Sequence, residues 1–178
     1  MKDKIHALSI SEWTYALSKQ KPRLAAEMCQ KGFNFSINGQ DQKALQYFEK
    51  ATERDPNDPV AWYGLGYCHA GLNNHDSAIE AYKQAIIRAA LEEAGYARPD
   101  VISVEGEPNQ YIIRVQEVSS LPEEQVEKIR GSVETALGPG VLQEMKVSPG
   151  GDKITIRVSG EVHEQQLQEG LAAGGAHV

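Results

Sequence analysis

Histidines and cysteines are the side chains of this chain that could bind a metal ion or act as nucleophiles. The sequence has five histidines and two cysteines, and Cys68 is directly followed by His69. Neighbouring residues on a helix point about 100° apart, so these two side chains do not converge on one ion. Neither Cys-x-x-Cys nor His-x-x-x-His occurs anywhere in the sequence. The pattern therefore favours a structural role for both residues, predicts no metal site, and leaves a metal-handling protein as a less favoured alternative.

A glycine pair and several acidic pairs are the other patterns that could support chemistry. Gly64-x-Gly66 resembles part of a phosphate-binding loop, but it lies in a predicted helix and the third glycine of that motif is missing. Pairs such as Glu92-Glu93 are typical of a solvated helix surface, and no Gly-x-Ser-x-Gly motif is present. The sequence therefore predicts no catalytic residue and no cofactor, and the protein is not expected to be an enzyme.

Composition limits the class of protein and its partners. The chain has 178 residues, of which 40% are hydrophobic and 24% charged, as in ordinary globular domains. Its net charge of −7 disfavours nucleic acid and anionic membranes, because polyanions would be repelled. Two cysteines cannot make a disulfide framework, and no stretch has the apolar length of a signal peptide or membrane span. We therefore expect a cytoplasmic protein with neither a nucleic-acid nor a membrane partner.

The first half of the sequence repeats with a period of 34 residues. That shift places small residues on small ones and a ring on a ring: Gly32 on Gly66, Ala44 on Ala78, Phe48 on Tyr82 and Ala51 on Ala85. Each unit is predicted to be a pair of helices, 22–38 with 41–54 and 59–70 with 77–94. Small residues let the paired helices approach closely, and the ring fills the space between successive helices. One such hairpin cannot bury its apolar face alone, so the units should stack.

The repeat resembles the tetratricopeptide repeat family over about residues 25–88. The second unit carries residues at the signature positions of that family: Trp62, Leu65, Gly66, Ala78, Tyr82 and Ala85. The first unit departs from the signature with Met28 and Lys31 at the Trp and Leu positions. A capping-box pattern, Ser9-x-x-Glu12, predicts a separate short helix that caps the first unit.

The resemblance implies a concave groove, lined by the first helix of each unit, that receives a peptide or helix of a partner protein. The positions that face this groove in the family are occupied here by Cys29, Phe33, Ser36, Ile37, Val60, Tyr63, Tyr67 and Ala70. We expect the binding residues to be Phe33, Ile37, Tyr63, Tyr67 and Ala70. The Lys and Asn clamp that some members use for a terminal carboxylate is not matched, so an apolar or aromatic anchor in the partner is expected. Alternatively, the N-terminal helix or the second domain of the chain itself covers these rings.

The second half changes to a period of two, typical of strands. Strands are predicted at 101–104, 111–115, 141–147 and 153–158, with a helix opened by Ser120 and ended by Gly138. Ile154, Ile156 and Val158 should face this helix and the residues between them should face outward. The predicted fold class is α plus α/β: helical hairpins of two repeats with a capping helix, followed by a small two-layer ββαββ domain.

Three segments are expected along the chain. They are a tetratricopeptide-like helical domain at 1–95, the ββαββ domain at 100–159 and a flexible tail at 160–178 with at most a turn or two of helix near 164–168, with the boundary at 94–100. Part of the second domain resembles the ferredoxin-like fold of heavy-metal-associated domains. The metal site of that family needs Cys-x-x-Cys, and the corresponding loop at 118–122 has no cysteine, so the resemblance concerns the fold alone.

These patterns predict a non-enzymatic adaptor or scaffold that binds a protein or peptide partner through the repeat groove. A structural protein that assembles with its own copies, through a sheet edge or through the repeats, is the alternative from another class.

Overall fold

The computed structural model describes residues 10–96, 102–107, 109–115, 121–160 and 162–173. The N-terminal part consists of four helices: α1 (Ile10–Ile37), α2 (Asp41–Arg54), α3 (Pro59–Gly71) and α4 (His75–Glu93). The C-terminal part consists of β1 (Ile102–Glu107), β2 (Gln110–Val115), α5 (Glu123–Leu137), β3 (Leu142–Val147), β4 (Lys153–Val158) and α6 (Glu164–Ala173). The order confirms the predicted fold class of helical hairpins followed by a small ββαββ domain.

Helix α1 differs from the prediction because it is continuous. The sequence predicts a short capping helix and a second helix that starts at Pro22, but one helix of 28 residues runs from Ile10 to Ile37. A proline inside a helix removes one backbone hydrogen bond, and good helix formers such as Lys, Leu, Ala and Glu flank Pro22 on both sides. The predicted break at this residue is therefore wrong.

Glycines set the distance between the paired helices, as the repeat predicts. A Cβ atom added to Gly32 would lie 2.8 Å from the ring of Phe48, and one added to Gly66 would lie 2.6 Å from the ring of Tyr82. Both rings are fully buried. Any larger residue at these glycines would push the helices of a hairpin apart.

Helix α4 joins the two parts of the molecule. It has 19 residues where α2 has 14, and its later turns bury Ile87, Ala90 and Leu91. These residues belong to the same hydrophobic cluster as Ile129 of α5 and Ile154 of β4. One continuous core therefore runs from the second repeat through α4 into the C-terminal part.

The sheet covers this core with one face. Its strand order is β1-β2-β4-β3 and every neighbouring pair is antiparallel. Ile154, Ile156 and Val158 are at most 2% exposed, whereas Arg157 between them is exposed, which confirms the predicted inward and outward faces.

Helix α6 replaces most of the predicted flexible tail. Leu167 and Leu171 are buried in the shared core, and Gln166 donates a hydrogen bond of 2.8 Å to the carbonyl of Leu137. Gly170 lets α6 approach α5 closely, because a Cβ atom there would collide with the carbonyl of Ala136. The short helix predicted near 164–168 is the start of α6, the prediction of a flexible tail is wrong for residues 169–173, and residues 174–178 lie outside the described residues.

The predicted domain boundary at 94–100 falls mostly outside the described residues, and the three-segment division otherwise stays a prediction. In the part of the chain that the structure describes, no helix combines the length and the apolar character needed to cross a bilayer.

Candidate peptide-binding groove

Phe33 connects the first repeat to the second through a buried ring. Its ring meets that of Phe48 edge to face, with 4.8 Å between centroids. The same Phe48 ring covers Gly64 of α3, where an added Cβ atom would collide with it. Phe33 is half-buried, so only part of its ring is available to a partner.

The two predicted tyrosines of α3 lie one helical turn apart and differ in exposure. Tyr63 is half-buried, and its ring centroid is 5.7 Å from that of Tyr82. Burial raises the pKa of Tyr63, and the neighbouring Tyr67 raises it further. Tyr67 is 47% exposed, and Ala70 is half-buried against the shared core. The structure thus brings Tyr63 and Tyr67 together and leaves Tyr67 open to solvent.

Ile37 is the most exposed of the predicted groove residues. It is the last residue of α1 and 82% of its surface is accessible. A single exposed aliphatic residue is common on protein surfaces, so this exposure shows that Ile37 is accessible and not that it is a contact residue. Ile37 and Tyr67 are therefore the most accessible of the five predicted binding residues.

Helix α6 adds residues to this region that the sequence did not predict. Gln168 donates a hydrogen bond of 2.7 Å to the hydroxyl of Tyr82, and Glu164 Oε2 lies 2.8 Å from Nδ1 of His75. In the 34-residue register Tyr82 of the second repeat corresponds to Phe48 of the first. Helix α6 therefore contacts Tyr82 as α3 contacts Phe48. The spacing of Leu167 and Leu171, four residues apart, is the sequence signal that could have indicated this helix.

Carboxylates contact the groove positions of α1. The Cys29 thiol donates to Oδ2 of Asp58 at 3.8 Å, and the Ser36 hydroxyl donates to Oδ1 of Asp41 at 3.1 Å. None of the eight groove positions named from the sequence carries Lys or Arg. The predicted groove positions Cys29 and Ser36 therefore contact carboxylates, and none of the eight predicted positions carries a cation.

The environment of the two cysteines disfavours their thiolate forms. Burial raises the pKa of the Cys29 thiol to about 12, with Asp58 adding to the rise, and burial likewise raises that of Cys68 to about 12. Both thiols are free and buried. Since the thiolate is the nucleophile and metal ligand, neither side chain is poised for that chemistry. Among the described residues no group of three or more His, Cys, Asp or Glu side chains could hold a metal ion.

Three acidic groups lie near the start of α3 and the end of α4. Burial raises the pKa of Asp55, Asp58 and Glu92, and their mutual repulsion contributes at Asp58 and Glu92. The guanidinium of Arg88 partly offsets this at Asp55. The proximity of these carboxyl groups therefore makes the ionised forms of Asp58 and Glu92 less favourable.

A buried polar network on α4 links the repeats to the sheet. The hydroxyl of Tyr111 donates to both oxygens of Glu80 at 2.9 and 2.8 Å, and Gln84 donates to the same carboxylate at 2.9 Å. Arg88 donates to Gln84 and to the carbonyl of Pro56, while its guanidinium lies 4.5 Å from the ring of Trp62.

Lys83 makes a second link from α4 to the C-terminal part. Its ammonium donates to Asn109 Oδ1 at 2.5 Å and to the carbonyl of Ser159 at 3.1 Å. Lys83 is 2% and Arg88 4% exposed, although each would be expected on the surface of an isolated helix. The sequence alone gave no signal that a second structural layer covers them.

Comparison with known proteins agrees with the architecture of the repeats. The family model of the tetratricopeptide repeat matches residues 38–94. Residues 38–94 carry tetratricopeptide repeats. The match confirms the resemblance carried by the second unit, and it ends near the last turn of α4.

Two curated relatives match part of the chain. The chain is 40% identical over 53 residues to the general transcriptional corepressor ssn6 of Schizosaccharomyces pombe. It is 43% identical over 45 residues to the general transcriptional corepressor CYC8 of Saccharomyces cerevisiae. The matches cover 30% and 25% of this chain but only 5% of each relative. The repeats and the two relatives together support a role in protein–protein interaction.

No solved structure is significantly similar to the chain.

Proposed function

We propose that the protein is an adaptor that binds a peptide or helix of a partner protein in the groove formed by α1 and α3. The predicted contact residues are Phe33, Ile37, Tyr63, Tyr67 and Ala70. Ile37 and Tyr67 supply the open contact area, and the other three form the floor beneath them. The C-terminal part supports the repeat array through the core that it shares with α4.

The observation that carries this proposal is the exposure of Tyr67. Its ring stays 47% accessible on the helix face that binds partners in tetratricopeptide proteins, although the neighbouring ring of Tyr63 is packed against Tyr82. Rigid aromatic side chains contribute large contact areas at low entropic cost and are enriched at binding hot spots. An open tyrosine beside packed ones fits a binding residue better than a core residue.

Affinity purification from the native cell, followed by mass spectrometry, tests the groove. We expect Tyr67→Ala and Ile37→Ala to lose partners that the unchanged chain retains, because truncating a hot-spot side chain costs about 2 kcal/mol or more of binding free energy. Both side chains are exposed, so the substitutions should leave the circular dichroism spectrum unchanged.

Val147→Ala is the matched control, because Val147 is a large apolar residue that is 38% exposed on the sheet, away from the repeats. Partners should be recovered equally with this variant. Equal recovery with all three variants would show that the partner binds elsewhere and that the groove assignment is wrong.

A further inference from the structure

Strand β3 forms one edge of the sheet, and among the described strands it pairs with β4 alone. Ser148, just after β3, donates its N–H to a carbonyl of β4 at 2.8 Å. Because the bonds of an antiparallel pair alternate along a strand, the backbone groups of Glu144 and Lys146 also face β4. Those of Met145 and Val147 face away from it. Strand β3 therefore presents the backbone of these two residues at the outer edge of the sheet.

Two observations indicate that this edge is accessible. Arg130 of α5 donates to the carbonyl of Met145 at 3.3 Å, so this carbonyl points out of the sheet. The bond is long, and a carbonyl has a second lone pair for another donor. Val147 is 38% exposed, although its neighbour Ile154 in β4 is fully buried. The side of β3 that faces away from β4 is therefore within reach of another strand.

The outer face of β3 carries a carboxylate and an ammonium group two residues apart. Lys146 Nζ lies 2.5 Å from Oε1 of Glu144, and the two side chains remain 71% and 32% exposed. The hydrogen bond from Lys146 lowers the pKa of Glu144, so this carboxylate is ionised at neutral pH. Lysine on an edge strand ordinarily keeps other strands away. A carboxylate at this spacing instead makes the edge complementary to a second copy of itself.

Charge selects one alignment for two β3 strands from two copies of the chain. If antiparallel pairing is centred on Met145, Glu144 of each copy lies opposite Lys146 of the other, at the positions where side chains are closest. Centring the pairing on Glu144 or on Lys146 sets like charges directly opposite each other, which is destabilising. Centres nearer the ends of β3 meet Pro149, which has no N–H to donate, or the irregular register at the start of the strand.

We propose that this edge binds a second copy of the chain, with the two β3 strands antiparallel and centred on Met145. The two sheets then form one continuous sheet, and the four charges of the two edges alternate in sign. The pairing involves one short strand from each copy, so we expect a weak dimer. None of the eight groove positions lies in the sheet, so this proposal is independent of the proposed function.

Sedimentation velocity of the full chain from about 1 to 200 µM tests the dimer. We expect the sedimentation coefficient to rise with concentration from that of a monomer to that of a dimer. Glu144→Lys and Lys146→Glu should each weaken dimerisation about tenfold, because each variant sets like charges opposite each other at two places in the pairing. Lys146→Arg is the matched control, since it keeps the charge at the same position, and it should dimerise like the unchanged chain.

Mixing the two weakened variants gives the most specific measurement. An equimolar mixture of Glu144→Lys and Lys146→Glu chains should form a heterodimer, because one copy supplies two cations and the other two carboxylates at facing positions. If a single variant loses its circular dichroism spectrum, the double exchange of both residues restores the pair within the strand and should dimerise like the unchanged chain.

Three results would overturn this proposal. The first is a chain that stays monomeric over the whole concentration range. The second is dimerisation that neither single variant weakens, and the third is a mixture of folded variants that does not associate. Each of them leaves the groove proposal untouched, because that proposal depends on partner recovery with Tyr67→Ala and Ile37→Ala.

Discussion

Asp58, the residue that caps α3, is a single side chain whose ionisation lowers the stability of the fold. Its carboxylate caps α3 by accepting from the backbone of Val60 at 2.9 Å and also receives the Cys29 thiol. Burial nevertheless raises its pKa, and Asp55 raises it further, so ionisation opposes folding. Asparagine caps a helix about as well as aspartate and carries no charge.

Asp58→Asn should therefore make the protein more stable at neutral pH. A carboxyl group whose pKa is raised on folding contributes stability that is complete below its unfolded pKa of about 3.9 and is lost as the pH rises through the folded pKa. The thermal midpoints of the variant and the unchanged chain should coincide in acid and separate in favour of the variant toward neutral pH. A gap that stays constant with pH would contradict the burial argument.

Asp152→Asn is the control of opposite sign. The Ser148 hydroxyl lies 2.8 Å from Asp152 and holds the pKa of this exposed carboxyl below its ordinary value. Its contribution to stability is present above the unfolded pKa and is lost as the pH falls through the folded pKa. Removing the charge should therefore cost stability near neutral pH and cost nothing in acid.

Among the elements, the strands and the paired repeat helices follow from the sequence, and α6 does not. The strand of alternating Ile154, Ile156 and Val158 sets its own inward face, because a period of two admits only one buried side. The sequence signal for α6 is weak. Its polar residues Gln166 and Gln168 form their hydrogen bonds with α5 and Tyr82, which are distant in the sequence.

For the predicted groove residues, the sequence indicates the helix face on which they lie but not their exposure. The 34-residue register places Tyr63 and Tyr67 on one helix face, because side chains four apart lie on the same side of a helix. It does not say which ring is covered, since that depends on Tyr82 and on α6 from a distant part of the chain. Which carboxylates border the groove was equally beyond a reading of the repeat.

The packing of α6 on α5 can be tested at Gly170. Gly170→Ala would drive its Cβ atom into the backbone of Ala136, which cannot yield as a flexible side chain would. We expect a loss of about 1–3 kcal/mol in the free energy of unfolding, as for overpacked cores. Urea denaturation measures the loss, and hydrogen exchange should show faster exchange in α6 than in α2.

Gly131→Ala provides the control on the neighbouring helix. Gly131 lies inside α5 with no atom within 4 Å of an added Cβ, so alanine should stabilise the helix by about 0.5–1 kcal/mol. If Gly170→Ala were as stable as Gly131→Ala, α6 would not pack against α5 in solution as described.

For the whole molecule, α4 is the element that makes the repeats and the sheet depend on each other. Its buried residues pack with both parts, and its polar side chains Glu80 and Lys83 bond to residues of the C-terminal part. The sequence suggests two domains because composition and periodicity change near residue 95. Composition records the change of element type, but it does not record that the two parts share a core.

A substitution in the sheet should therefore weaken the repeats. Ile156 is fully buried in β4, and Ile156→Ala should cost about 2–5 kcal/mol of stability. Trp62 belongs to α3, so its fluorescence reports on the repeats during urea unfolding. We expect the fluorescence transition and the loss of hydrogen-exchange protection in β4 to move together to lower urea, because one cooperative unit unfolds.

Val147→Ala, at an exposed site on the same sheet, should move neither transition by more than about 0.5 kcal/mol. The prediction is wrong if Ile156→Ala lowers the hydrogen-exchange protection of β4 but leaves the fluorescence transition at the same urea concentration. The shared core would then contribute little coupling, and the repeats would fold as an independent domain, as the change in composition suggests. A joint shift instead makes the C-terminal part a structural support of the groove, so substitutions far from Tyr67 would lower partner binding through stability alone.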